Sequence, residues 1–136
     1  MDDNQITAFH PGAMQFSYLN RVADTDGITL GIVAPDGKAA MIQHSTDFVE
    51  HGIPHIFDPG QAMTQFNGEE LREFIANANW IIANDYEFKL LQERTGLSPH
   101  EIAEQVVGGK LAGDRRQRQL CLAQIFGEQF TGAAPF

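Results

Sequence analysis

The middle of the chain alternates between short apolar runs and longer segments whose apolar residues recur every three or four positions. The short runs fall at residues 28–33, 54–57 and 80–83, and their length and β-branched content are typical of strands. The longer segments cover residues 36–51 and 67–78, with the spacing of helices that bury one face. This order predicts an α/β fold of Rossmann-like type, in which a parallel sheet has flanking helices.

Turn and cap residues predict where the helices begin and end. Gly52 should end the first helix, and Asn67 should cap the second. A third helix should end near Gly96 and a fourth should begin at Ser98, whereas residues 11–27 have the composition of connecting structure. The side chains expected to face the core are Met41, Ile42, Ser45, Phe48 and Val49 in the first helix, Leu71, Phe74, Ile75 and Ala78 in the second, and Ile102, Ala103 and Val106 in the fourth.

Polar residues follow two of the predicted strands directly. Asp58 comes after the second strand, and Asn84 and Glu87 follow the third, where they open a helix. Ligands of open α/β sheets bind beyond the carboxyl ends of the strands, so we expect these three side chains to share a crevice. The first amides of a helix attract anions such as phosphate, and Mg²⁺ is commonly held by one or two carboxylates together with phosphates. The pattern therefore indicates that Asn84 and Glu87 hold a metal ion and a phosphate.

A purely structural role accounts for the same residues. Asn84 and Glu87 have the spacing of a capping box, in which each side chain binds an otherwise unpaired backbone amide. The chain repeats this spacing at Asn67 and Ser98, each followed three residues later by a glutamate. Asp58 precedes a proline and a glycine, where aspartate stabilises turns. The residues alone leave both interpretations open.

Four segments, taken in order, carry a family resemblance. They are Gly52-Ile-Pro-His-Ile-Phe-Asp-Pro-Gly-Gln61, Asn67-Gly-Glu-Glu-Leu71, Trp80-Ile-Ile-Ala-Asn84-Asp-Tyr-Glu87 and Leu91-Gln-Glu-Arg-Thr-Gly-Leu-Ser98. Their order and spacing resemble the ribokinase-like (PfkB-type) family of sugar and nucleoside kinases. The segment from Asp3 to Met14 is similar to a part of the family's bacterial adenosine-kinase-like members. The resemblance covers residues 3–107.

The resemblance implies a chemistry for the strand ends. In this family an Asn-x-x-Glu at a strand end helps to organise Mg²⁺ and the phosphates of ATP, and Asn84 and Glu87 match that motif. Asp58 matches another strand end of the family and is expected to lie beside the cofactor. The implied function is ATP-dependent phosphoryl transfer to a sugar or nucleoside hydroxyl, with ATP and Mg²⁺ as cofactors. The alternative is a nucleotide- or effector-binding α/β module without catalysis.

The length of the chain qualifies this expectation. At 136 residues it is less than half as long as typical members of the family. The chain lacks the Gly-Gly and Asn motifs that bind the sugar in this family. It also lacks the family's Gly-Ala-Gly-Asp motif, which carries the catalytic base. Ala112-Gly113-Asp114 resembles the end of the latter motif, but it comes only 30 residues after Asn84 and is followed by Arg115-Arg116-Gln117-Arg118. We therefore assign no catalytic residue and expect a truncated, inactive portion of a kinase.

Charge changes abruptly at Gly108-Gly109. Residues 1–109 hold 16 acidic and 5 basic side chains, whereas residues 110–136 hold 2 and 4. The composition predicts a partial ribokinase-like α/β domain over residues 1–109 and a divergent, disordered tail over residues 110–136. A disrupted reading frame is our hypothesis for the change.

The overall composition excludes several classes of function. A net charge of −9 disfavours binding to nucleic acid, whose phosphates attract lysine and arginine. No apolar run approaches the 18 residues of a membrane span, and the acidic start differs from a secretory signal, so we expect a cytoplasmic protein. Cys121 is the single cysteine, which excludes an internal disulfide.

Overall fold

The computed structural model describes residues 10–108, which form one parallel sheet with helices packed against it. The strands are β1 (Gly31–Val33), β2 (His55–Phe57) and β3 (Trp80–Ile81). They lie in the order β1-β2-β3, and both neighbouring pairs are parallel. The predicted parallel α/β architecture is confirmed, although each strand is shorter than the apolar run that predicted it.

The helices follow the strands in the predicted alternation. They are α1 (Lys38–Glu50), α2 (Gly68–Asn77), α3 (Asp85–Thr95) and α4 (Pro99–Gly108), with 3₁₀ helices at Gly12–Leu19, Val22–Asp24 and Gly60–Gln65. Gly96 ends α3 in the left-handed conformation, with φ of 69°, as its position predicted. Residues 11–27 are more regular than the sequence indicated, because short 3₁₀ helices leave no 3.6-residue period to detect.

The core lies between the sheet and the helices α1 and α2, and it extends to Leu91 of α3 and Ile102 of α4. Phe57 of β2 is fully buried and stacks on Phe74 of α2 with ring centroids 4.7 Å apart. Phe66 meets the same Phe74 ring edge to face at 5.0 Å. The predicted inward stripe of α2 is confirmed, since all four of its members are at most 3% exposed; they are Leu71, Phe74, Ile75 and Ala78.

The predicted inward stripe of α1 is wrong at two positions. Ile42 and Val49 are 36% and 37% exposed, whereas Asp47 is completely buried. The Asp47 carboxylate accepts hydrogen bonds from Arg21 Nε at 2.9 Å and Arg21 Nη2 at 2.6 Å. It also accepts one from the Val22 amide at 3.3 Å. A charged residue, paired with Arg21, therefore occupies part of the inner face of α1.

The two faces of the sheet differ in burial. Val33, Phe57 and Ile81 are buried on the side of the helices. Ile32 lies on the opposite side and remains 53% exposed. Residues 10–108 therefore cover that second face only in part.

Several expectations fall outside the described range. They concern the tail at residues 110–136, Asp114 within it, the domain boundary near residue 109, and the first part of the segment at residues 3–14. Within residues 10–108, no helix combines the length and apolar character needed to cross a membrane.

Candidate functional site

The carboxyl ends of the three strands meet at one edge of the sheet, because all three strands are parallel. Asp58 follows β2 directly, and its amide donates to Val33 O of β1 at 2.9 Å. Asn84 stands three residues after the end of β3, and Asp36 stands three residues after the end of β1. Ligand sites of open α/β sheets lie at such an edge. The predicted site residues thus lie at the carboxyl edge of the sheet.

Asn84 and Glu87 form a complete capping box at the start of α3. Asn84 Oδ1 accepts from the Glu87 amide at 2.9 Å, and Glu87 Oε2 accepts from the Asn84 amide at 3.0 Å. This reciprocal pair fixes the Glu87 carboxylate at the positive end of the helix. The box engages Oε2, and Oε1 is the oxygen of Glu87 that remains to meet a ligand.

The same capping box occurs at two other helices. Asn67 and Glu70 form it at α2 with distances of 2.9 and 2.8 Å, and Ser98 and Glu101 form it at α4 with distances of 3.3 and 2.8 Å. The spacing by itself therefore signals only a helix start. What distinguishes Glu87 is a neighbouring carboxylate at the strand edge.

That neighbour is Asp58. Burial raises the pKa of Asp58 above its ordinary value, and the negative charge of Glu87 raises it further, while a hydrogen bond from the Gly60 amide acts in the opposite direction. Two carboxylates that repel each other at the end of a sheet are stabilised by a cation placed between them. The electrostatics of Asp58 and Glu87 therefore fit a divalent cation.

The donor set agrees with a cation shared with a ligand. No group of three or more histidine, cysteine, aspartate or glutamate side chains within residues 10–108 is arranged to hold a metal alone. Mg²⁺ is often bound by one or two carboxylates, with water and substrate phosphates completing its shell. Asp58 and Glu87 have the chemistry of that second kind of site.

A cleft of about 800 Å³ opens at the same edge, beyond the ends of β1 and β2. Gly60 joins it to Asp58, since a Cβ atom at Gly60 would lie 2.5 Å from Pro35 Cγ and 3.6 Å from Asp58 Oδ1. The backbone of Gly60 has φ of 43°, which together with this crowding favours glycine. The cleft is lined by Pro11, Met14, Gln15, Pro35, Asp36, Gly37, Lys38, Gln61, Ala62, Thr64 and Gln65.

Comparison with known proteins shows that this chain is similar to nucleoside kinases. The nucleoside kinase of Burkholderia thailandensis, solved in complex with inosine, is 48% identical and superposes with a TM-score of 0.73 over 77% of this chain and 34% of its own. The same kinase in complex with ADP-inosine gives 49% identity and a TM-score of 0.73 over 76% of this chain and 33% of its own. The chain is therefore similar to this nucleoside kinase in both sequence and fold.

Two further nucleoside kinases are similar to this chain, one in fold and one in sequence. The nucleoside kinase of Methanocaldococcus jannaschii, an archaeal member of the ribokinase family, is 23% identical and has a TM-score of 0.66 over 77% of this chain and 34% of its own. A nucleoside kinase of Thermoplasma acidophilum is 34% identical over 55 residues, which are 40% of this chain and 19% of that protein. No family model matches the sequence. The chain spans about a third of the length of the solved relatives that it matches.

The sequence analysis did not identify Asp36, a further polar residue at the carboxyl edge of the sheet. Asp36 lines the cleft, and its Oδ1 accepts from the Gly37 amide at 2.7 Å and from Ser17 Oγ at 2.8 Å. The strand-end rule that identified Asp58 also applies to Asp36, which follows the first apolar run. The cleft itself could not be predicted, because residues 11–15 form one of its walls from a distant part of the chain.

Proposed function

We propose that residues 10–108 form the phosphate- and magnesium-binding part of a kinase that transfers a phosphoryl group from ATP to a nucleoside or sugar hydroxyl. The observation that carries the proposal is that Asp58 and the Asn84–Glu87 capping box follow the neighbouring parallel strands β2 and β3 at the carboxyl edge of the sheet. The similarity to a kinase solved with inosine and with ADP-inosine supports a nucleoside as the acceptor.

The residues at this edge have distinct roles in the proposal. Glu87 and Asn84 hold Mg²⁺ with the phosphates, and Asp58 adds a second carboxylate. The Glu87 amide is already bound to Asn84 Oδ1, which leaves the amides of Asp85 and Tyr86 as helix donors for phosphate oxygens. When bound, Mg²⁺ would supply positive charge that offsets the negative charge of the phosphates.

Transfer also needs a base that accepts the proton of the attacking hydroxyl. We assign none of the described residues to that role. The 136-residue chain is accordingly expected to bind Mg-ATP without phosphorylating sugars or nucleosides. Turnover assays with both classes of acceptor test this part of the proposal.

A pair of substitutions separates metal binding from helix capping. Glu87→Gln keeps an amide oxygen for the capping box but removes the charge that faces Asp58. Glu101→Gln makes the same change in the capping box of α4, which lies outside the proposed site. Both variants should lose little stability, because each removes one charge from a helix start; Glu87→Gln should lose less than Glu101→Gln, because it also removes the repulsion of Asp58.

Calorimetric titration with ATP, with and without Mg²⁺, gives the decisive readout. We expect Glu87→Gln to weaken Mg-ATP binding by about tenfold or more, as is usual when a metal site loses a supporting group. Glu101→Gln should leave the affinity within about twofold, a difference near 0.4 kcal/mol. If both variants bind Mg-ATP with equal affinity, or if ATP binding does not depend on Mg²⁺, then Glu87 serves only as part of the helix cap.

A further inference from the structure

Asn67 and Gly68 form the one Asn-Gly pair in the 136 residues, at the point where α2 begins. Capping and packing fix both residues. Asn67 Oδ1 accepts a hydrogen bond from the Glu70 amide at 2.9 Å, which satisfies a backbone donor of the first helical turn. A Cβ atom at position 68 would overlap the carbonyl oxygen of Arg94 in α3, so no residue larger than glycine fits there. The fold therefore places an asparagine directly before a glycine.

An asparagine followed by glycine can lose its side-chain amide without an enzyme. The backbone nitrogen of the glycine attacks the side-chain Cγ, the Cγ–Nδ2 bond breaks, and ammonia leaves with the proton of that nitrogen. Water then adds to one of the two carbonyls of the cyclic imide, which gives aspartate or isoaspartate. Glycine favours the attack because no side chain stands beside its nitrogen and its backbone rotates freely.

Asn84 provides a comparison within the same chain. It caps α3 with φ of −76° and ψ of 172°, close to the −82° and 174° of Asn67. Its Oδ1 accepts from the Glu87 amide at the same distance of 2.9 Å, and both asparagines are exposed. The residue after Asn84 is Asp85, whose side chain hinders the attack on Cγ. The two caps thus share their geometry and differ in the residue that decides reactivity.

The folded structure restrains the reaction at Asn67. Ring closure requires the Asn67 side chain to leave the Glu70 amide and turn toward the nitrogen of Gly68. The Glu70 carboxylate opposes this movement, because its Oε2 accepts from the Asn67 amide at 2.8 Å. Lys38 Nζ of α1 lies 2.7 Å from Glu70 Oε1 and holds that carboxylate in place. The attack therefore requires a local opening of the start of α2.

We propose that Asn67 is a deamidation site of this chain, and that the capping box confines the reaction to molecules in which the start of α2 has opened. The inference is independent of the proposed kinase function. The aspartate product keeps a side-chain oxygen that can cap α2. The isoaspartate product adds one atom to the backbone before Gly68, which breaks the capping box and shifts the helix start against Arg94. Deamidation at this site therefore alters the contact between α2 and α3.

The test follows deamidation at each asparagine of the full chain by peptide mass spectrometry, in mildly alkaline buffer with and without urea. Glu70→Ala removes the carboxylate that restrains Asn67. Glu101→Ala makes the same change in the capping box of α4 and is the matched control. Asn67→Ser keeps a capping residue but cannot form the imide, so it gives the background at this position. Circular dichroism shows that each variant is folded in the absence of urea.

In urea, Asn67 of the wild type should deamidate at least about tenfold faster than Asn84, because glycine leaves its nitrogen unhindered. Folding should slow the reaction at Asn67 by about tenfold or more, equal to an opening free energy of about 1.4 kcal/mol. Glu70→Ala should speed the reaction in the folded chain by about fivefold, equal to about 1 kcal/mol of lost capping. Glu101→Ala should leave the rate unchanged.

Three results would overturn the inference. The first is deamidation of Asn84 as fast as that of Asn67 in urea, which would remove the role of Gly68. The second is an equal rate at Asn67 in the folded and the unfolded wild type. The third is an equal rate at Asn67 in folded Glu70→Ala and Glu101→Ala, which would show that the capping box does not restrain the reaction.

Discussion

The ion pair between Arg21 and Asp47 should be the polar contact on which the fold depends most. Replacing Arg21 with methionine keeps an unbranched side chain over α1 but removes both hydrogen bonds to the Asp47 carboxylate. The Asp47 side chain is only 1% exposed, so it would be left as a buried charge without its partner.

The size of the effect follows from this burial. Removing one partner of a fully buried ion pair lowers the free energy of unfolding by about 3–5 kcal/mol. The Val22 amide still donates to Asp47, and the Arg21 side chain is 46% exposed, so water can reach the site. We therefore expect a smaller loss, of about 1–3 kcal/mol, which is still a considerable part of the 5–15 kcal/mol typical of a domain.

Urea denaturation followed by circular dichroism measures this loss at pH 7, with Glu104→Gln as a control. Glu104 pairs with His100 at the surface, with side chains 67% and 83% exposed, and its substitution should cost at most about 0.5 kcal/mol. A cost for Arg21→Met as small as that of the control would refute the reasoning.

The same pair predicts a dependence on pH. The hydrogen bond from Arg21 lowers the pKa of Asp47 below its ordinary value of 3.8. The pair therefore stabilises the fold above the unfolded pKa, and that contribution is lost as the pH falls through the lower folded pKa. The difference in stability between wild type and Arg21→Met should shrink below about pH 4. A difference that stays constant down to pH 3 would contradict the assigned charge state.

Two further predictions concern the strand edge and the sheet. Because folding raises the pKa of Asp58, the negative charge of Asp58 destabilises the fold above its ordinary pKa. Asp58→Asn should therefore raise the melting temperature at pH 7, and this gain in melting temperature should disappear as the pH falls toward 4. The same substitution should weaken Mg-ATP binding. A lower melting temperature would indicate that the carboxylate stabilises the turn. Val33→Thr should lower the free energy of unfolding in urea by about 1–3 kcal/mol, because Val33 is only 3% exposed. Ile32 is 53% exposed, so Ile32→Thr should lower it by less than about 0.5 kcal/mol. Equal losses for the two variants would show that both faces of the sheet are covered.

The sequence was most informative where local pattern and tertiary packing agree. The buried face of α2 follows from the spacing of Leu71, Phe74 and Ile75, because a helix period maps directly onto one side of a cylinder. Asn84 was recognisable for a similar reason, since a cap residue and a strand end are both local features. The presence of a capping box could thus be predicted, but its use as a ligand site could not.

The remaining features depend on contacts between distant parts of the chain. Asp47 interrupts the apolar stripe of α1, and only its contact with Arg21, 26 residues earlier, explains its burial. The wall of the cleft is similarly nonlocal, because Ser17 in the first 3₁₀ helix donates to Asp36 after β1. Spacing along the sequence carries no signal for either contact.

The central claim is that Asp58 and Glu87 hold a divalent cation together with nucleotide phosphates. Mn²⁺ can replace Mg²⁺ at oxygen ligands, and it broadens the NMR signals of nearby amides. In the presence of ADP, substoichiometric Mn²⁺ should broaden the amide signals of Asp58, Asp85 and Glu87 first and leave that of Glu101 sharp. Broadening centred on Glu70 or Glu101, or spread evenly over the acidic surface, would contradict the assignment of the metal site.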